Sequence, residues 1–184
     1  DYGTLEDFDM LLHRAHEAGI RVIIDMVLNH TSHLHTWFAE SRSSARSPYR
    51  DYYLWEKEIP NNWESFFDGS AWTYDESAGL YYYHAFSREQ VCLNWSSGKV
   101  WRECRDILRF WLDRGVDGFR LDVIDLIGKD TDNCVMAEGP MLHPFIREMS
   151  SNTFQRADLV TVGEAWSATP ERAFLYSNPD GSEL

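Results

Sequence analysis

The sequence predicts an α/β fold built on a parallel sheet, on three observations. Short, nearly continuous apolar runs occur at 21–28, 116–123 and 159–164. Stretches with apolar residues at helical spacing separate them. Each run then ends in polar or ionisable side chains, which places chemistry at one end of the sheet.

The elements follow in chain order. Thr4, with Asp7 three residues on, reads as a helix start, a hydroxyl cap followed by a carboxylate. Leu5, Phe8, Leu12 and Ala15 keep the helical period, and Gly19 stops it. The run 21–28 suits a strand covered on both faces. Residues 31–96 interrupt the rhythm with an aromatic-rich insertion, too long for a plain loop and expected to form a small subdomain. Val100, Cys104, Ile107, Leu108, Trp111 and Leu112 form the stripe of the next helix, which Gly115 ends. A strand at 116–123, a helix at about 141–154 and a strand at 159–164 come next. Thr169, Pro170 and Glu171 open a last helix, because proline tolerates the first helical position. Strands alternating with helices imply right-handed crossovers.

Composition narrows the function. With 43% hydrophobic residues the chain can bury a core. Seventeen basic against 30 acidic residues leave a charge of −13, which argues against a nucleic-acid partner. No apolar run reaches the ~18 residues of a membrane span, so no membrane partner is expected. Three cysteines without CxxC spacing suit reduced thiols and a cytoplasmic location.

Arg120 and Asp122 alternate on one strand and so share a face, and Glu164 ends the neighbouring strand. Two carboxylates meeting at the mouth of a (β/α) barrel are the arrangement for retaining glycoside hydrolysis. The nucleophile has to stay ionised, which Arg120 favours. The acid has to hold a proton near neutral pH, which an apolar neighbour such as Trp166 favours. A purely structural Arg120–Asp122 ion pair fits the same spacing. His30, His33 and His35 make a weak metal cluster, since His33 and His35 look like loop residues, and Asp130, Asp132 and Asn133 give only part of a calcium-ligand spacing.

Three segments carry a resemblance: Asp25-Met-Val-Leu-Asn29-His30, Gly118-Phe-Arg120-Leu-Asp122-Val123 and Val162-Gly-Glu164. Together they resemble short regions that define the α-amylase superfamily (glycoside hydrolase family 13). Ser47-Pro-Tyr-Arg-Asp51, Pro60-Asn-Asn-Trp63, Gly69-Ser-Ala-Trp72 and Tyr81-Tyr-Tyr-His84 extend the likeness to its oligo-1,6-glucosidase, dextran glucosidase and trehalose-6-phosphate hydrolase group.

The resemblance implies a (β/α)8 barrel of which this chain supplies strands three to five. Residues 1–30 and 97–184 would be barrel segments, and 31–96 the inserted domain B. Asp122 would be the nucleophile and Glu164 the acid/base. His30 and Arg120 would line the glucose site, with Phe86 and Gln90 reaching it from the insertion. Val123 resembles members that cleave α-1,6 bonds. Trp166 looks like the tryptophan that stacks on the leaving sugar, for which an indole face is suited. The implied substrate is an oligosaccharide such as isomaltose or an isomalto-oligosaccharide. Trehalose-6-phosphate and α-1,4-glucosides are the alternatives, and a non-catalytic relative is the alternative of another class. The segment is expected to be internal and to hold no cofactor, with any calcium loop before residue 1. A third catalytic carboxylate would lie beyond residue 184, so this piece alone is expected to be inactive. Cys92 stands where the family pattern has aspartate, which puts the rigidity of its loop in question.

Overall fold

In the computed structural model the described residues are 2–156, 158–177 and 181–184. The elements run α1 (Leu5–Glu17), β1 (Ile23–Val27), β2 (His30–Ser32), α2 (Thr36–Ser43), β3 (Trp55–Glu56), β4 (Trp72–Asp75), β5 (Leu80–Tyr83), β6 (Gln90–Cys92), α3 (Gly98–Asp113), β7 (Gly118–Asp122), α4 (Leu142–Thr153), β8 (Val160–Gly163) and α5 (Pro170–Tyr176). The expected starts hold. Thr4 and Asp7 form a reciprocal capping box on α1, and Thr169 caps α5 with Pro170 in its first turn.

β1, β7 and β8 form a parallel sheet in the order β1-β7-β8, with Asp25 paired to Arg120 and Arg120 to Val162. Gly118 permits the close approach of β7 and β8, since a Cβ there would lie 1.8 Å from the Val160 carbonyl oxygen. The helices cover one face of this sheet. Met26, Phe119 and Leu121 pack there with Leu108 of α3 and Ile146 and Met149 of α4, all in one buried cluster. The other face carries Ile23, Asp25 and Val27, then Arg120 and Asp122, then Val160 and Val162. Its aliphatic members Ile23, Val27, Val160 and Val162 are exposed. The expectation of a first strand covered on both faces is therefore corrected. Within this chain only the helix-facing side is covered, because three strands cannot curl far enough to shield their inner face.

Between β1 and α3 the chain builds two small antiparallel sheets, β2-β6 and β3-β5-β4. Their aromatic residues supply their own packing. Phe38 meets Tyr53, Trp55 and Tyr82 at ring-centroid distances of 5.2–5.5 Å, and Trp63 lies 5.2 Å from Tyr83. The β2-β6 ladder pairs His30 with Cys92 and brings the insertion back against the end of β1.

At the opposite end of the sheet Asp117 is buried and accepts hydrogen bonds from the Val22 N–H (2.7 Å), Arg21 (2.8 Å) and His16 (2.7 Å). Burial by itself would raise its pKa, but these bonds outweigh that and hold the carboxyl at about 2. A lowered folded-state pKa contributes stability that is present above the ordinary value and lost as pH falls through the folded one. Asp117→Asn is therefore expected to cost about 3 kcal/mol at pH 7. In urea titrations the gap from wild type should shrink between pH 4 and pH 2, whereas a pH-independent gap would contradict the assignment.

Candidate active site

The site grows from the uncovered face of the sheet. Alternation places Arg120 and Asp122 on that side of β7, register adds Asp25 from β1, and Glu164 follows β8 directly. Arg120 joins all three carboxylates. Its Nη1 donates to Asp25 (2.8 Å) and Asp122 (2.6 Å), and its Nη2 reaches Glu164 Oε2 at 2.7 Å. One planar guanidinium thus sets the spacing of Asp122 and Glu164, as a rigid fork of donors can. The bond to Asp25 leads the causes that push the arginine pKa further up.

A turn completes the pair. Val123 adopts φ 39 and ψ 47, a left-handed conformation that costs a β-branched residue on the order of 1–3 kcal/mol. This turn aims the Val123 N–H at Glu164 Oε2, 3.1 Å away, while Glu164 also exchanges backbone bonds with Leu121 and Ile124. The strain sits directly beside the carboxylate pair.

Glu164 departs from the expectation about its acidity. Burial raises its pKa, but the Val123 N–H, a hydrogen bond from Trp166 and Arg120 together outweigh it, so the net shift is downward. Trp166 is 62% exposed and acts there as a polar donor rather than an apolar cover. In this arrangement Glu164 is an ionised carboxylate at neutral pH.

The insertion supplies the remaining wall. His30 lies between the amide nitrogens of Gln90 (3.1 Å) and Asn29 (3.3 Å), with the Phe86 ring 5.7 Å away. Burial lowers the His30 pKa against the pull of Asp122, which favours a neutral ring. Phe86 is 6.0 Å from Trp166 and 5.4 Å from Phe66, which itself lies 6.1 Å from Trp166. Val123 is buried in the same cluster as Phe86 and Cys92. Contacts thus link Asp122 and Glu164 through Arg120, His30 to Gln90 and Phe86, and Phe86 in turn to Trp166 and to the cluster that holds Val123.

Sequence reasoning missed Asp25 and Phe66. Asp25 had a visible signal, a lone carboxylate inside an apolar strand; Phe66 was hidden among many aromatics. Cys92 leaves no gap in its loop, because its sulfur accepts from the Ala85 N–H (3.2 Å) and Asn29 Nδ2 (3.6 Å). The partial calcium spacing resolves into a turn in which both Asp130 oxygens accept from Asn133. The three histidines do not converge either, since His35 caps α2 instead. Among the described residues no cluster of His, Cys, Asp and Glu suits a metal ion, and no helix is long and apolar enough to cross a membrane.

The model of the α-amylase catalytic domain matches residues 1–184, the whole chain. The chain belongs to the α-amylase catalytic-domain family. This α-amylase-family chain is 51% identical over 183 residues to the glucan 1,6-alpha-glucosidase of Streptococcus pneumoniae, a match that covers 100% of the chain and 34% of that relative. It is 44% identical to the trehalose-6-phosphate hydrolase of Bacillus subtilis, covering 35% of it. The crystal structure of Bacillus licheniformis trehalose-6-phosphate hydrolase superposes with a TM-score of 0.94 at 42% identity, over 100% of this chain and 36% of that one. The family chain therefore spans about a third of the length of the curated relatives it matches.

Proposed function

We propose that the protein carrying this segment is a retaining α-glucosidase, a cytoplasmic enzyme that hydrolyses α-1,6 bonds of isomaltose and isomalto-oligosaccharides. The observation that carries this reading is the single Arg120 guanidinium bonded to both Asp122 and Glu164 on the open face of a parallel sheet. In retaining enzymes the two carboxyl groups stand about 5–5.5 Å apart, close enough for one to reach the anomeric carbon while the other reaches the leaving oxygen. Further strands outside residues 1–184 would close the barrel over the exposed Val27 and Val162.

Asp122 attacks the anomeric carbon as the glycosidic C–O bond breaks, and Glu164 gives its proton to the departing oxygen. A water molecule then attacks the glucosyl ester, its proton passing to Glu164, and Asp122 leaves as a carboxylate. For the first step Glu164 has to carry a proton, which the Arg120 bond opposes, so substrate entering between the carboxylates has to displace that bond. His30, Gln90 and Phe86 would hold the glucose, while Val123 and Trp166 would shape the leaving-sugar side. The Val123 methyl groups and the Trp166 face support the α-1,6 preference, as does the 51% relative.

The test is hydrolysis by the full-length protein of isomaltose, isomaltotriose, maltose and trehalose-6-phosphate. Isomaltose and isomaltotriose are expected to lead in kcat/KM by roughly 10- to 100-fold, the scale of one pocket-wall difference. A lead for trehalose-6-phosphate would overturn the linkage assignment while leaving the carboxylate roles in place.

A further inference from the structure

Behind the carboxylate pair lies a buried acid that the mechanism does not use. Asp125 sits in the 3₁₀ turn Ile124–Leu126, three residues after Asp122, and is 1% exposed. Its Oδ2 accepts two bonds from one residue, the Ser167 N–H (3.0 Å) and the Ser167 hydroxyl (2.5 Å). No cation pairs with it among the described residues, and its Oδ1 has no hydrogen-bond partner there. A buried polar oxygen left without a partner is costly and points to a specific role for the side chain.

The surroundings indicate that role. Ser167 follows Trp166 directly, and Trp166 is largely exposed, bonded to Glu164 and meeting Phe66 and Phe86 edge-on at centroid distances of about 6 Å. Trp166 and Ser167 line a cavity of about 120 Å³ together with Phe66, Val123, Leu126, Ala137 and Asp125 itself. With a cavity on one side and solvent on much of the rest, packing alone does not hold the platform in place. The same turn is clasped from its other side, where the Asp125 carbonyl accepts from the Glu138 N–H and the Glu138 carboxylate bonds Arg172 and Tyr176 of α5. The loop between β8 and α5 is thus tied through Ser167 to Asp125, and α5 is tied to the same turn through Glu138.

We propose that Asp125 is a positioning residue that, through Ser167, fixes the height and tilt of Trp166 against Val123 and so sets the fit of the leaving sugar. This rests on the α-glucosidase reading above. None of the strut's own bonds reaches Asp122, His30 or Gln90, and its one link to the catalytic pair is the Trp166 bond to Glu164, a group whose proton a fluoride leaving group does not need. A substrate without an aglycone sugar should not sense it.

The experiment uses the full-length protein with isomaltose and with α-glucosyl fluoride, whose leaving group is a lone fluoride. Ser167→Ala and Asp125→Ala are expected to raise KM for isomaltose about tenfold, a typical effect of a reshaped pocket wall. Both should leave kcat/KM for the fluoride within about twofold of wild type. In a Trp166→Ala background Asp125→Ala should add nothing further, since residues that act through one another are not additive. Equal losses on both substrates, or additive losses, would overturn the proposal. Ser167→Ala removes one hydroxyl and keeps the backbone donor, so it carries the test if Asp125→Ala does not fold. Wild-type turnover of the fluoride checks the α-glucosidase reading separately. The strut also has a readout without turnover, namely tryptophan fluorescence differenced against Trp166→Phe. Ser167→Ala should make the Trp166 contribution more accessible to a collisional quencher, and an unchanged contribution would overturn the proposal.

Discussion

Asp122→Asn in the full-length protein is expected to lower kcat/KM for isomaltose by about 10⁴-fold or more, the scale of losing a covalent nucleophile. At 1.36 kcal/mol per decade this is roughly 5 kcal/mol of transition-state stabilisation. Stability should change little. The asparagine oxygen can still accept the Arg120 bond that now runs to Asp122 at 2.6 Å, and Asp25 and Glu164 keep the guanidinium in place. Thermal unfolding of the variant beside its activity separates the two effects. A variant that folds like wild type and retains more than about a tenth of the activity would remove Asp122 from the chemistry.

Glu164→Gln is expected to cost about 10²- to 10⁴-fold on isomaltose, the usual worth of a positioned acid/base. The loss should depend on the leaving group. Sugar alcohols need a proton to depart and fluoride does not, so glucosylation by α-glucosyl fluoride should be nearly spared. The slow step then becomes hydrolysis of the glucosyl ester, for which the substituted amide offers no base. The turn is preserved, because an amide oxygen at this position can still accept the Val123 N–H that Glu164 accepts at 3.1 Å. Equal losses on both substrates would assign Glu164 to holding Arg120 rather than to proton transfer.

Local features were readable because local interactions decide them. The Thr4–Asp7 box, the Thr169–Pro170 start and the α3 stripe depend on residues three or four apart. So does the sharing of a face by Arg120 and Asp122, which strand alternation dictates. What sequence did not show depends on register between strands. Asp25 joined the site because β1 pairs with β7 so that Asp25 lies opposite Arg120. The acidity of Glu164 was misjudged for the same reason. Arg120 reaches across from β7, and Val123 adopts a left-handed turn that nothing in a valine announces. The aromatic insertion was recognisable as self-packed, yet its sheet order β3-β5-β4 depends on non-local pairing that composition does not reveal. An open inner face accords with the expected place of this chain as strands three to five of a larger barrel, although the apolar runs alone do not reveal it, since such a run reads the same whether its second cover lies in this chain or elsewhere.

The most direct test of the central claim is to trap and locate the covalent intermediate. Full-length Glu164→Gln protein would be incubated with α-glucosyl fluoride, quenched in acid, digested with pepsin and mapped by mass spectrometry. One added glucosyl group is expected on the peptide that contains β7, Gly118–Asp122, with fragmentation placing it on Asp122. An ester on another carboxylate would contradict the assignment, as would fluoride turnover that releases β-glucose with no adduct.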